Sequence, residues 1–460
     1  MVMLVLVDLI FGIFMSYYGI IILMKTAYVG MSGGVDSSVS ALLLKQQGYR
    51  VVGVYMKNWS RDLPGMKCPW AEDLADAKRV AVKLGIDFFV WDFEKEYREK
   101  VVEYMLREFR TGNTPNPDIM CNQEIKFKLF YEKAMEAGAD YIATGHYARV
   151  GVAEPIFSDA RLEFSSTSYT GQPAEPSLRD EPVGDVRNIR VENSNHVMHP
   201  KKQVSATPTL LRAVDENKDQ TYFLYRISEE ALEHTLFPIG EMRKPEVKEL
   251  AKKHGLHNAY KKESMGVCFV GEVGMKDFLK EYIDAQPGEI REIESNKVLG
   301  FHEGAVFYTI GQRHGLYLDG EKGVVNDGLP YYVVKKNVKK NIVYVSKNLN
   351  NENLWVKELK IKDVFLRQFE HIVSVDGSLA PVVTGLTPSS SVVTSGSPRA
   401  KCSQLPLRQV LVRLRHRAPL IPATFDGEIL NFEHEVKRPA SGQSAVLYDD
   451  KICIGGGVIA

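Results

Sequence analysis

Cysteine is scarce in this chain, and the spacing of the few cysteines does not match a redox or zinc-binding pair. The 460 residues include 5 cysteines, with no Cys-x-x-Cys pair and no Cys/His cluster of zinc spacing. This pattern argues against a secreted disulfide framework and against a structural metal site. We therefore expect a cytoplasmic protein in a reducing compartment, where any cysteine pair serves catalysis or redox chemistry.

Net charge is also lacking, because 58 Lys+Arg balance 58 Asp+Glu. This balance argues against a uniformly basic nucleic-acid binder, although the total does not say where the charges lie. No acidic residue occurs between Asp376 and Asp426. The same window contains Arg399, Lys401, Arg408, Arg413, Arg415 and Arg417. A neutral chain can therefore present one basic surface, whose binding to RNA weakens with salt.

Long apolar runs are limited to residues 1–24, in which Asp8 is the only charge. Asp8 leaves 16 uncharged residues after it, whereas a membrane-spanning helix needs about 20. A basic n-region and a small-residue cleavage site are missing. Because residues 26–31 already have the pattern of a first strand, we expect residues 1–23 to be an apolar leader or a mis-assigned start, and not a membrane anchor.

The remaining chain alternates apolar strands with amphipathic helices from Lys25 onward. This alternation predicts an α/β fold with a parallel sheet covered on both faces. In residues 152–207 the apolar residues follow no regular period, so we expect a flexible insertion there.

From about Pro287 apolar residues recur at every second position and glycines are frequent, which predicts small β-rich domains. The Ser/Thr/Pro-rich tract 376–408 interrupts the last of them. We expect domains at 24–284, 285–350 and 351–460.

The loop SGGVDSS at 32–38 follows the first strand and precedes a helix. Its glycines let the backbone approach an anion, and the helix start supplies free N–H groups and the positive end of a dipole. It lacks the lysine of a Walker A loop. The motif resembles the pyrophosphate loop of ATP-pyrophosphatases, which cleave ATP between the α and β phosphates. The alternative is a Gly/Ser turn in a dinucleotide-type fold.

Two cysteines lie in local contexts that can expose a thiol. Asp118 precedes Cys121 by three residues after the turn-rich stretch 113–117, so a helix from Pro117 would place both on one face. Cys268 lies in the glycine-flanked segment 266–271. Each also fits a small buried hydrophobe. We keep that interpretation for the other three cysteines, which are Cys68, Cys402 and Cys453.

Further motifs follow in order along the chain. They are VYMKNW at 54–59, PNPDIMCNQEIKF at 115–127, ATGHY at 143–147, KDQ at 218–220, FPIGEM at 237–242, KES at 262–264, YTIGQR at 308–313, GQSAV at 442–446 and GGG at 455–457. Together they resemble the tRNA-specific 2-thiouridylase family, which sulfurates the wobble uridine of tRNA. The resemblance spans 26–151, about 208–375 and about 409–460. It implies a Rossmann-like pyrophosphate-loop domain, as in the adenine nucleotide alpha hydrolases, a small central domain and a C-terminal β-barrel.

The resemblance also implies ATP as co-substrate, with Mg carried mainly on its phosphates and no metal site in the protein. The residues implied to bind ATP are Gly30, Met31, Ser32, Gly33, Gly34, Val35, Asp36, Ser37, Met56 and Gly145. Adenylation would turn the 2-oxygen of uridine into the leaving group AMP.

The catalytic residues implied by the resemblance are Cys121, Cys268 and Asp118. Cys268 would carry the incoming sulfur as a persulfide, and Asp118 would act as an acid/base beside the uridine ring. Cys121 would attack Cys268 and free sulfide. Alternatively, after direct attack by the persulfide, Cys121 would resolve the intermediate as a Cys121–Cys268 disulfide. Both routes stay open.

The resemblance implies tRNA as substrate and a sulfur-carrier or cysteine desulfurase protein as donor, with no DNA partner. Asn116, Pro117 and Asp118 would contact the target base. The other implied tRNA contacts are His146, Lys218, Asp219, Gln220, Arg415, His416 and Gln443. His416 stands where the family usually has tyrosine, and its ring can still stack on a base.

Two tracts, 152–207 and 376–408, depart from the family. We expect them to be lineage-specific rather than RNA-contacting, because neither interleaves aromatic residues for base stacking. Two other functions share some of these motifs. One is an amide- or amidine-forming ATP-pyrophosphatase on a small molecule, and the other is a catalytically silent RNA-binding protein.

Overall fold

The computed structural model describes residues 24–62, 68–152, 208–261, 275–316, 318, 329–367 and 408–460. The apolar segment 1–23, nearly all of the predicted insertions 152–207 and 376–408, and Cys268 and Cys402 lie outside the described residues. Among the residues that are described, no helix is both long and apolar enough to cross a membrane.

A five-stranded parallel sheet forms the first part of the chain, in the order β3-β2-β1-β4-β7. Its strands are β1 (Thr26–Gly30), β2 (Arg50–Lys57), β3 (Asp87–Asp92), β4 (Tyr141–Ala143) and β7 (Thr235–Leu236). The central strands β1 and β2 are apolar and almost wholly buried, whereas the edge strand β3 is largely exposed. The predicted α/β fold with a Rossmann-like parallel sheet is confirmed.

Helices alternate with these strands and continue after the last of them. They are α1 (Val35–Gln46), α2 (Trp70–Leu84), α3 (Glu94–Tyr97), α4 (Glu103–Arg110), α5 (Pro117–Cys121), α6 (Phe130–Glu136), α7 (Thr221–Leu224), α8 (Glu229–Glu233), α9 (Lys244–Lys253) and α10 (Met275–Lys280). Three-residue-per-turn segments occupy His257–Tyr260, Ala305–Phe307 and Glu352–Leu354.

Two long helical stretches contain wider, π-helical turns. One begins with α3 and passes through the π-helical segment Arg98–Val102 into α4. The other begins with α5 and passes through the π-helical segment Asn122–Leu129 into α6. Phe127 has non-helical angles within it. A π-helical turn adds a residue per turn, which hydrophobic periodicity alone does not reveal.

A small four-stranded sheet follows, in the order β10-β11-β8-β9. Its strands are β8 (Gly288–Glu292), β9 (Val298–His302), β10 (Tyr332–Asn337) and β11 (Ile342–Ser346). Strands β8 and β11 pair in parallel, and the other pairs are antiparallel. Inward-facing side chains such as Ile290, Val333 and Val343 form its own core.

The last part of the chain forms a closed six-stranded barrel. Its strands are β12 (Trp355–Leu366), β13 (Arg408–Arg413), β14 (Ile421–Phe425), β15 (Ile429–Lys437), β16 (Ser444–Asp449) and β17 (Ile452–Ile459). The order β12-β15-β14-β13-β16-β17 closes through pairing of β12 with β17, which confirms the predicted β-barrel. Strands β6 (Pro208–Arg212) and β5 (Ala148–Val152) extend the same sheet from β17. The domain limits at 284 and 350 remain a prediction.

A buried ion pair joins the barrel to the first part of the chain. Nη1 of Arg413 lies 2.6 Å from Oδ2 of Asp219, and the two side chains are 5% and 0% exposed. The hydroxyl of Thr221 also donates to Asp219. Both side chains are therefore buried in this structure, whereas Arg415 is exposed. The tRNA contact expected of Asp219 and the basic surface inferred from the sequence stay predictions, for which an exposed residue such as Arg415 is better placed.

Removal of the Arg413 guanidinium tests this ion pair. Arg413→Met removes the closest cation from the buried Asp219 carboxylate and leaves it the longer contact with Arg212, at 3.8 Å, so we expect the free energy of unfolding to fall by up to about 3 kcal/mol. Arg415→Met, two residues away and exposed, should change it by less than about 0.5 kcal/mol. Urea unfolding measures both variants. Equal effects of the two substitutions would contradict a structural role for Arg413.

Candidate active site

The loop 32–38 connects β1 to α1 at a topological switch point of the sheet. Strand β1 pairs with β2 on one side and with β4 on the other. In such sheets the connections diverge at this point, and a crevice opens beyond the carboxyl ends of the two strands. The sequence motif and the topology therefore place a ligand site at the same position.

Serine hydroxyls of the loop hold its own backbone. Ser37 and Ser38 donate from Oγ to the carbonyl of Gly34, at 3.1 Å and 2.9 Å. The amide of Ser32 donates to Oγ of Ser37 at 3.2 Å. Ser38 is fully buried, so its hydroxyl holds the loop in place.

Two glycines allow other elements to approach the loop closely. Gly33 has φ +78°, and a Cβ there would collide with the carbonyl oxygen of Asp73 in the first turn of α2. A Cβ on Gly145 would lie 2.5 Å from the amide nitrogen of Ser37. Both positions require glycine, because backbone stands where a side chain would have to be.

Asp36 anchors the start of α1 to two distant residues. Nζ of Lys244, the first residue of α9, donates to Oδ1 and Oδ2 of Asp36 at 2.7 Å and 2.8 Å. The hydroxyl of Tyr147 donates to Oδ1 at 3.1 Å. The sequence predicted Asp36 as a ligand-binding residue. Asp36 and Lys244 both line a cavity in front of the loop, so their ion pair is part of the cavity wall.

A cavity of about 410 Å³ opens in front of this loop. All residues predicted to bind ATP except Gly33 line it. They are Gly30, Met31, Ser32, Gly34, Val35, Asp36, Ser37, Met56 and Gly145. Four of the predicted tRNA contacts also line it, namely His146, Lys218, Gln220 and His416. The structure thus brings together two sets of residues that the sequence separates widely.

The cavity walls carry more positive than negative charge. The cationic side chains are those of Lys126, Lys218, Lys244, Lys261 and Arg417, and the carboxylates are those of Asp36 and Asp73. Sequence reasoning missed most of these cations, because they come from separate segments without a shared motif. Lys261 contacts Asp73 and Asp76 at 2.7 Å and 2.6 Å. The excess of cations suits an anionic ligand such as a polyphosphate.

His146 lies buried in the cavity wall between two polar neighbours. Its Nδ1 is 2.8 Å from Oγ1 of Thr144, and its Nε2 is 3.4 Å from Nζ of Lys126. Burial, and secondarily the charge of Lys126, holds the pKa of His146 well below its usual range. The imidazole is therefore neutral at physiological pH.

The predicted catalytic cysteine Cys121 ends the short helix α5. The side chain of Asn116 caps this helix by accepting hydrogen bonds from the amides of Asp118 and Ile119, at 3.1 Å and 3.4 Å. Pro117 occupies the first helical position and is buried, whereas Asn116 and Asp118 are partly exposed. Cys121 is 1% exposed. These residues lie outside the cavity wall, and Cys268 lies outside the described residues.

Residues next to the strands of the barrel and of the small four-stranded sheet hold the loop that precedes this helix. The amide of Thr114 donates to the carbonyl of Ser441 at 2.7 Å, and Nε2 of Gln443 donates to the carbonyl of Thr114 at 2.7 Å. The hydroxyl of Thr114 lies 3.3 Å from that of Thr309. In this structure Gln443, which the resemblance implies as a tRNA contact, therefore holds the loop that precedes the helix ending at Cys121.

The remaining predicted tRNA contacts differ in exposure. Oε1 of Gln220 accepts from the amide of Tyr147 at 2.9 Å, and Lys218 is partly exposed. His416 packs on Phe223, with ring centroids 4.5 Å apart. Burial, with help from the charges of Arg417 and Arg413, lowers the pKa of His416 to about 4. Arg415 is exposed.

The other described cysteines are buried. Cys453 is fully buried in the barrel sheet, and burial raises the pKa of its thiol to about 12. Cys68 is also buried, although it borders the cavity, and its thiol lies 3.8 Å from the carbonyl of Trp59. Burial raises its pKa as well. Among the described residues, no group of three or more His, Cys, Asp or Glu side chains could hold a metal ion.

Comparisons with known proteins assign relatives to all three parts of the chain. A family model described as "tRNA methyl transferase HUP domain" matches residues 25–169 and 187–272. One described as "tRNA methyl transferase PRC-barrel domain" matches 276–347, and an "Aminomethyltransferase beta-barrel domain" model matches 398–459.

Three curated relatives carry the same name, tRNA-specific 2-thiouridylase MnmA. The relative from Listeria monocytogenes serotype 4b is 39% identical over 433 residues, which cover 94% of this chain and 93% of the relative. The one from Idiomarina loihiensis is 39% identical over 436 residues, 95% of this chain and 96% of the relative. The one from Bacillus cytotoxicus is 44% identical over 331 residues, 72% and 74%.

A pair of alanine substitutions tests the geometry of the loop. Gly33→Ala should lower the free energy of unfolding by at least about 2 kcal/mol, because it adds a positive-φ penalty to a collision with α2. Gly34 has φ −82°, and a Cβ added there would lie 3.4 Å from Oγ of Ser32. Gly34→Ala should change the stability by no more than about 1 kcal/mol. Chemical denaturation measures both, and a stable Gly33→Ala variant would refute the described loop.

Acid titration tests the environment of His416. Unfolded His416 takes up its proton near its ordinary pKa of 6.5, whereas the folded ring does so only near 4. The unfolded state therefore binds more protons between these values, and stability falls as the pH drops from about 6.5 to 4. His416→Phe keeps a ring against Phe223 but lacks this titration. We expect it to lose less stability than the wild type between pH 7 and pH 5; parallel losses would contradict the assignment.

Proposed function

Since this chain belongs to the tRNA-specific 2-thiouridylase family, we propose that it is a tRNA-modifying sulfurtransferase that converts the wobble uridine of tRNA to 2-thiouridine. The observation that carries this proposal is the meeting of the loop 32–38 with implied tRNA-binding residues in one cationic cavity. Reaction requires that the activating nucleotide and the tRNA meet, and the walls of this cavity carry residues implied to bind the nucleotide together with residues implied to bind tRNA.

ATP is the co-substrate that fits this cavity. The start of α1 presents backbone amides and a positive dipole end to an anion. The five cationic side chains in the walls add attraction for a triphosphate. Its volume of about 410 Å³ lies within the usual range for small-molecule sites, about 300–1,000 Å³. Mg²⁺ would be carried on the phosphates, where it neutralises their charge.

Activation precedes sulfur transfer because a carbonyl oxygen is a poor leaving group. The 2-oxygen of uridine attacks the α-phosphorus of ATP, the bond from that phosphorus to the bridging oxygen breaks, and pyrophosphate leaves. The N3 proton is lost at this stage. Asp118, partly exposed on α5, is the side chain that we assign to accept it. Asn116 and Pro117 hold α5 in place through its cap and its first position.

Sulfur then replaces the activated oxygen at C2. In the direct route, the terminal sulfur of a Cys268 persulfide attacks C2, and AMP leaves with the former 2-oxygen. The thiolate of Cys121 next attacks Sγ of Cys268, which breaks the S–S bond to the uridine and releases 2-thiouridine with a Cys121–Cys268 disulfide. In the other route, Cys121 attacks first and frees sulfide, which attacks C2. Either route ends in the disulfide, which an external thiol must reduce.

The partners in this reaction are tRNA and a protein that delivers persulfide sulfur, either a sulfur carrier or a cysteine desulfurase. We place the reaction in the cytoplasm. The side chains that we assign to tRNA are Asn116, Pro117, Asp118, His146, Lys218, Gln220, Arg415 and His416. Arg415 is the exposed cation among them. Asp219 is assigned to support instead, because its carboxylate is buried in the ion pair with Arg413. Gln443 is assigned to support as well, because it holds the loop that precedes α5.

Other functions account for fewer of these observations. Methyl transfer, named in the description of the first family model, would leave the cysteines at 121 and 268 without a role. A small-molecule ATP-pyrophosphatase would not need them either. A silent RNA-binding protein would not need the loop 32–38 and its cationic cavity.

Formation of 2-thiouridine tests the proposal. The purified protein is incubated with unmodified tRNA, ATP, Mg²⁺ and a sulfide or persulfide source, and nucleosides are analysed by mass spectrometry. We expect 2-thiouridine from the wild type and none from Cys121→Ala or Cys268→Ala. The matched control is Cys453→Ala, whose thiol is buried in the barrel sheet, and it should retain activity.

The alternatives predict different results in the same assay. Under the proposal, Cys268→Ala still releases pyrophosphate when tRNA is added, because adenylation precedes sulfur transfer. Turnover of a small substrate by that variant, without tRNA, would favour a small-molecule enzyme. Binding of tRNA without pyrophosphate release by the wild type would favour a silent binder. No 2-thiouridine from any tRNA pool would refute the proposal.

A further inference from the structure

Arg417 has a backbone conformation that arginine seldom adopts. It lies in a turn after β13, in which the amide of Ala418 donates to the carbonyl of Arg415 at 3.0 Å, and its φ is +62°. The third residue of such a turn is usually glycine or asparagine when its φ is positive. The other non-glycine residues with positive φ in the described part of the chain are all asparagine or aspartate, namely Asn296, Asn341, Asp363 and Asp450. Arginine at this position therefore costs stability.

Contacts of the Arg417 side chain within the protein do not explain this cost. The side chain is exposed, and no carboxylate of the described residues forms an ion pair with it. Arg413, by contrast, is buried against Asp219. Arg417 instead lines the cavity in front of the loop 32–38, together with the neighbouring His416. Unfavourable backbone angles at a ligand cavity are typical of residues with a functional role.

His416 and Lys218 place Arg417 at one end of the cavity. Burial is the main cause of the low pKa of His416, and the charges of Arg417 and Lys218 lower that pKa further. Both cations therefore lie near this ring, and all three residues line the cavity. His416 and Lys218 are among the residues that the resemblance implies for tRNA. Arg417 thus belongs to the end of the cavity at which RNA is expected.

Tyr147 connects this end of the cavity to the loop 32–38. Its amide donates to Oε1 of Gln220, the second residue after Lys218, at 2.9 Å. Its hydroxyl donates to Oδ1 of Asp36, at the start of α1, at 3.1 Å. These contacts lead from the loop, where the phosphates of ATP are expected, through Tyr147 to the segment 218–220. A phosphate bound at Arg417 would lie beside that segment.

The proposed reaction brings RNA phosphates to this end of the cavity. The 2-oxygen of uridine attacks the α-phosphorus of ATP, so the base must approach the loop 32–38 while it remains part of the tRNA strand. The phosphates 5′ and 3′ of that nucleotide accompany the base, because they are covalently attached to it through the ribose. A guanidinium pairs with a phosphate through two parallel hydrogen bonds. An exposed arginine in the cavity wall is suited to hold one of these phosphates.

We propose that Arg417 binds a phosphate adjacent to the wobble uridine and thereby positions that nucleotide for reaction at the loop 32–38. This inference rests on the proposed function and adds to it a contact that the barrel makes with the reacting nucleotide. It predicts that replacement of Arg417 relieves the backbone while it removes one phosphate contact. Stability and tRNA affinity should therefore change in opposite directions.

Three substitutions separate the guanidinium from the backbone. Arg417→Asn and Arg417→Gly remove the charge and suit a positive φ, and Arg417→Lys keeps the charge without the planar fork. The matched control is Lys451→Asn, which removes an exposed cation from another turn of the barrel, outside the cavity wall. We expect the thermal midpoints of Arg417→Asn and Arg417→Gly to equal or exceed that of the wild type. A lower midpoint in both variants would assign Arg417 a structural role and overturn the inference.

Binding of tRNA and of ATP is measured separately. Arg417→Asn should weaken tRNA binding by roughly 10- to 100-fold, because a hydrogen-bonded charge contact is lost. The slope of log K against log salt should become shallower by about 0.7–0.9. The dissociation constant of ATP without tRNA should stay unchanged. Arg417→Lys should recover part of the tRNA affinity, and Lys451→Asn should match the wild type. A loss confined to ATP binding would assign the guanidinium to a nucleotide phosphate and overturn the inference.

A neutral linkage in the RNA locates the phosphate. Full-length tRNA is assembled with one methylphosphonate, placed 5′ or 3′ of the wobble uridine or, as a control, in the acceptor stem. The measured quantity is kcat/KM for tRNA-dependent pyrophosphate release. At the phosphate that Arg417 binds, the neutral linkage should lower kcat/KM of the wild type but add little to the loss in Arg417→Asn. In the acceptor stem the two effects should be independent. Independent effects at both linkages beside the wobble uridine would overturn the inference.

Failure of the proposed function would look different in the same experiments. A wild type that releases no pyrophosphate with tRNA, or forms no 2-thiouridine, refutes the proposed function itself. A wild type that forms 2-thiouridine, together with an Arg417→Asn variant that is equally active and binds tRNA equally well, refutes only the role of Arg417.

Discussion

The close backbone contact between Gly145 and the start of α1 is the constraint on which the site depends. A Cβ at Gly145 would press on the amide of Ser37, so β4 and the loop after β1 can meet only because that atom is absent. On the opposite side, Gly33 packs with positive φ against the first turn of α2. These two contacts fix the loop between a strand end and a helix start, and the ion pair of Asp36 with Lys244 ties it to α9. The cavity is the space that remains in front of this fixed loop.

The barrel contributes to the site through buried contacts as well as through surface charge. Gln443 and Ser441 hold Thr114, directly before the helix that ends at Cys121. The ion pair of Asp219 with Arg413 fixes the segment between Lys218 and Gln220, both of which line the cavity. Movement of the barrel would therefore disturb both the proposed sulfur-handling helix and the proposed RNA-contacting segment. This connection gives the barrel a mechanical role in the reaction besides any contact with tRNA.

Sequence reasoning identified the elements of the fold whose signals are local. The strand, loop and helix around 32–38 form a contiguous pattern, and the family resemblance named Met56, Gly145 and His146 at other strand ends. It did not identify Lys126, Lys244 or Lys261 as members of one charged wall, because each lies on a different helix or turn and only the fold brings them together. Nor could it show that Asp219 and Arg413 are buried partners, since 194 residues separate them and charged residues are usually exposed. The π-helical turns were missed because periodicity does not reveal one extra residue per turn.

Transfer of the uridine oxygen to AMP tests the central claim most directly. A tRNA carrying ¹⁸O at the 2-position of its wobble uridine is incubated with the protein, ATP, Mg²⁺ and a sulfur source, and the phosphorus products are examined by mass spectrometry. If the loop and its cationic cavity activate the 2-oxygen by adenylation, each 2-thiouridine formed is matched by one AMP that contains ¹⁸O, and pyrophosphate stays unlabelled. Label in inorganic phosphate, in pyrophosphate or in water, with unlabelled AMP, would contradict the account.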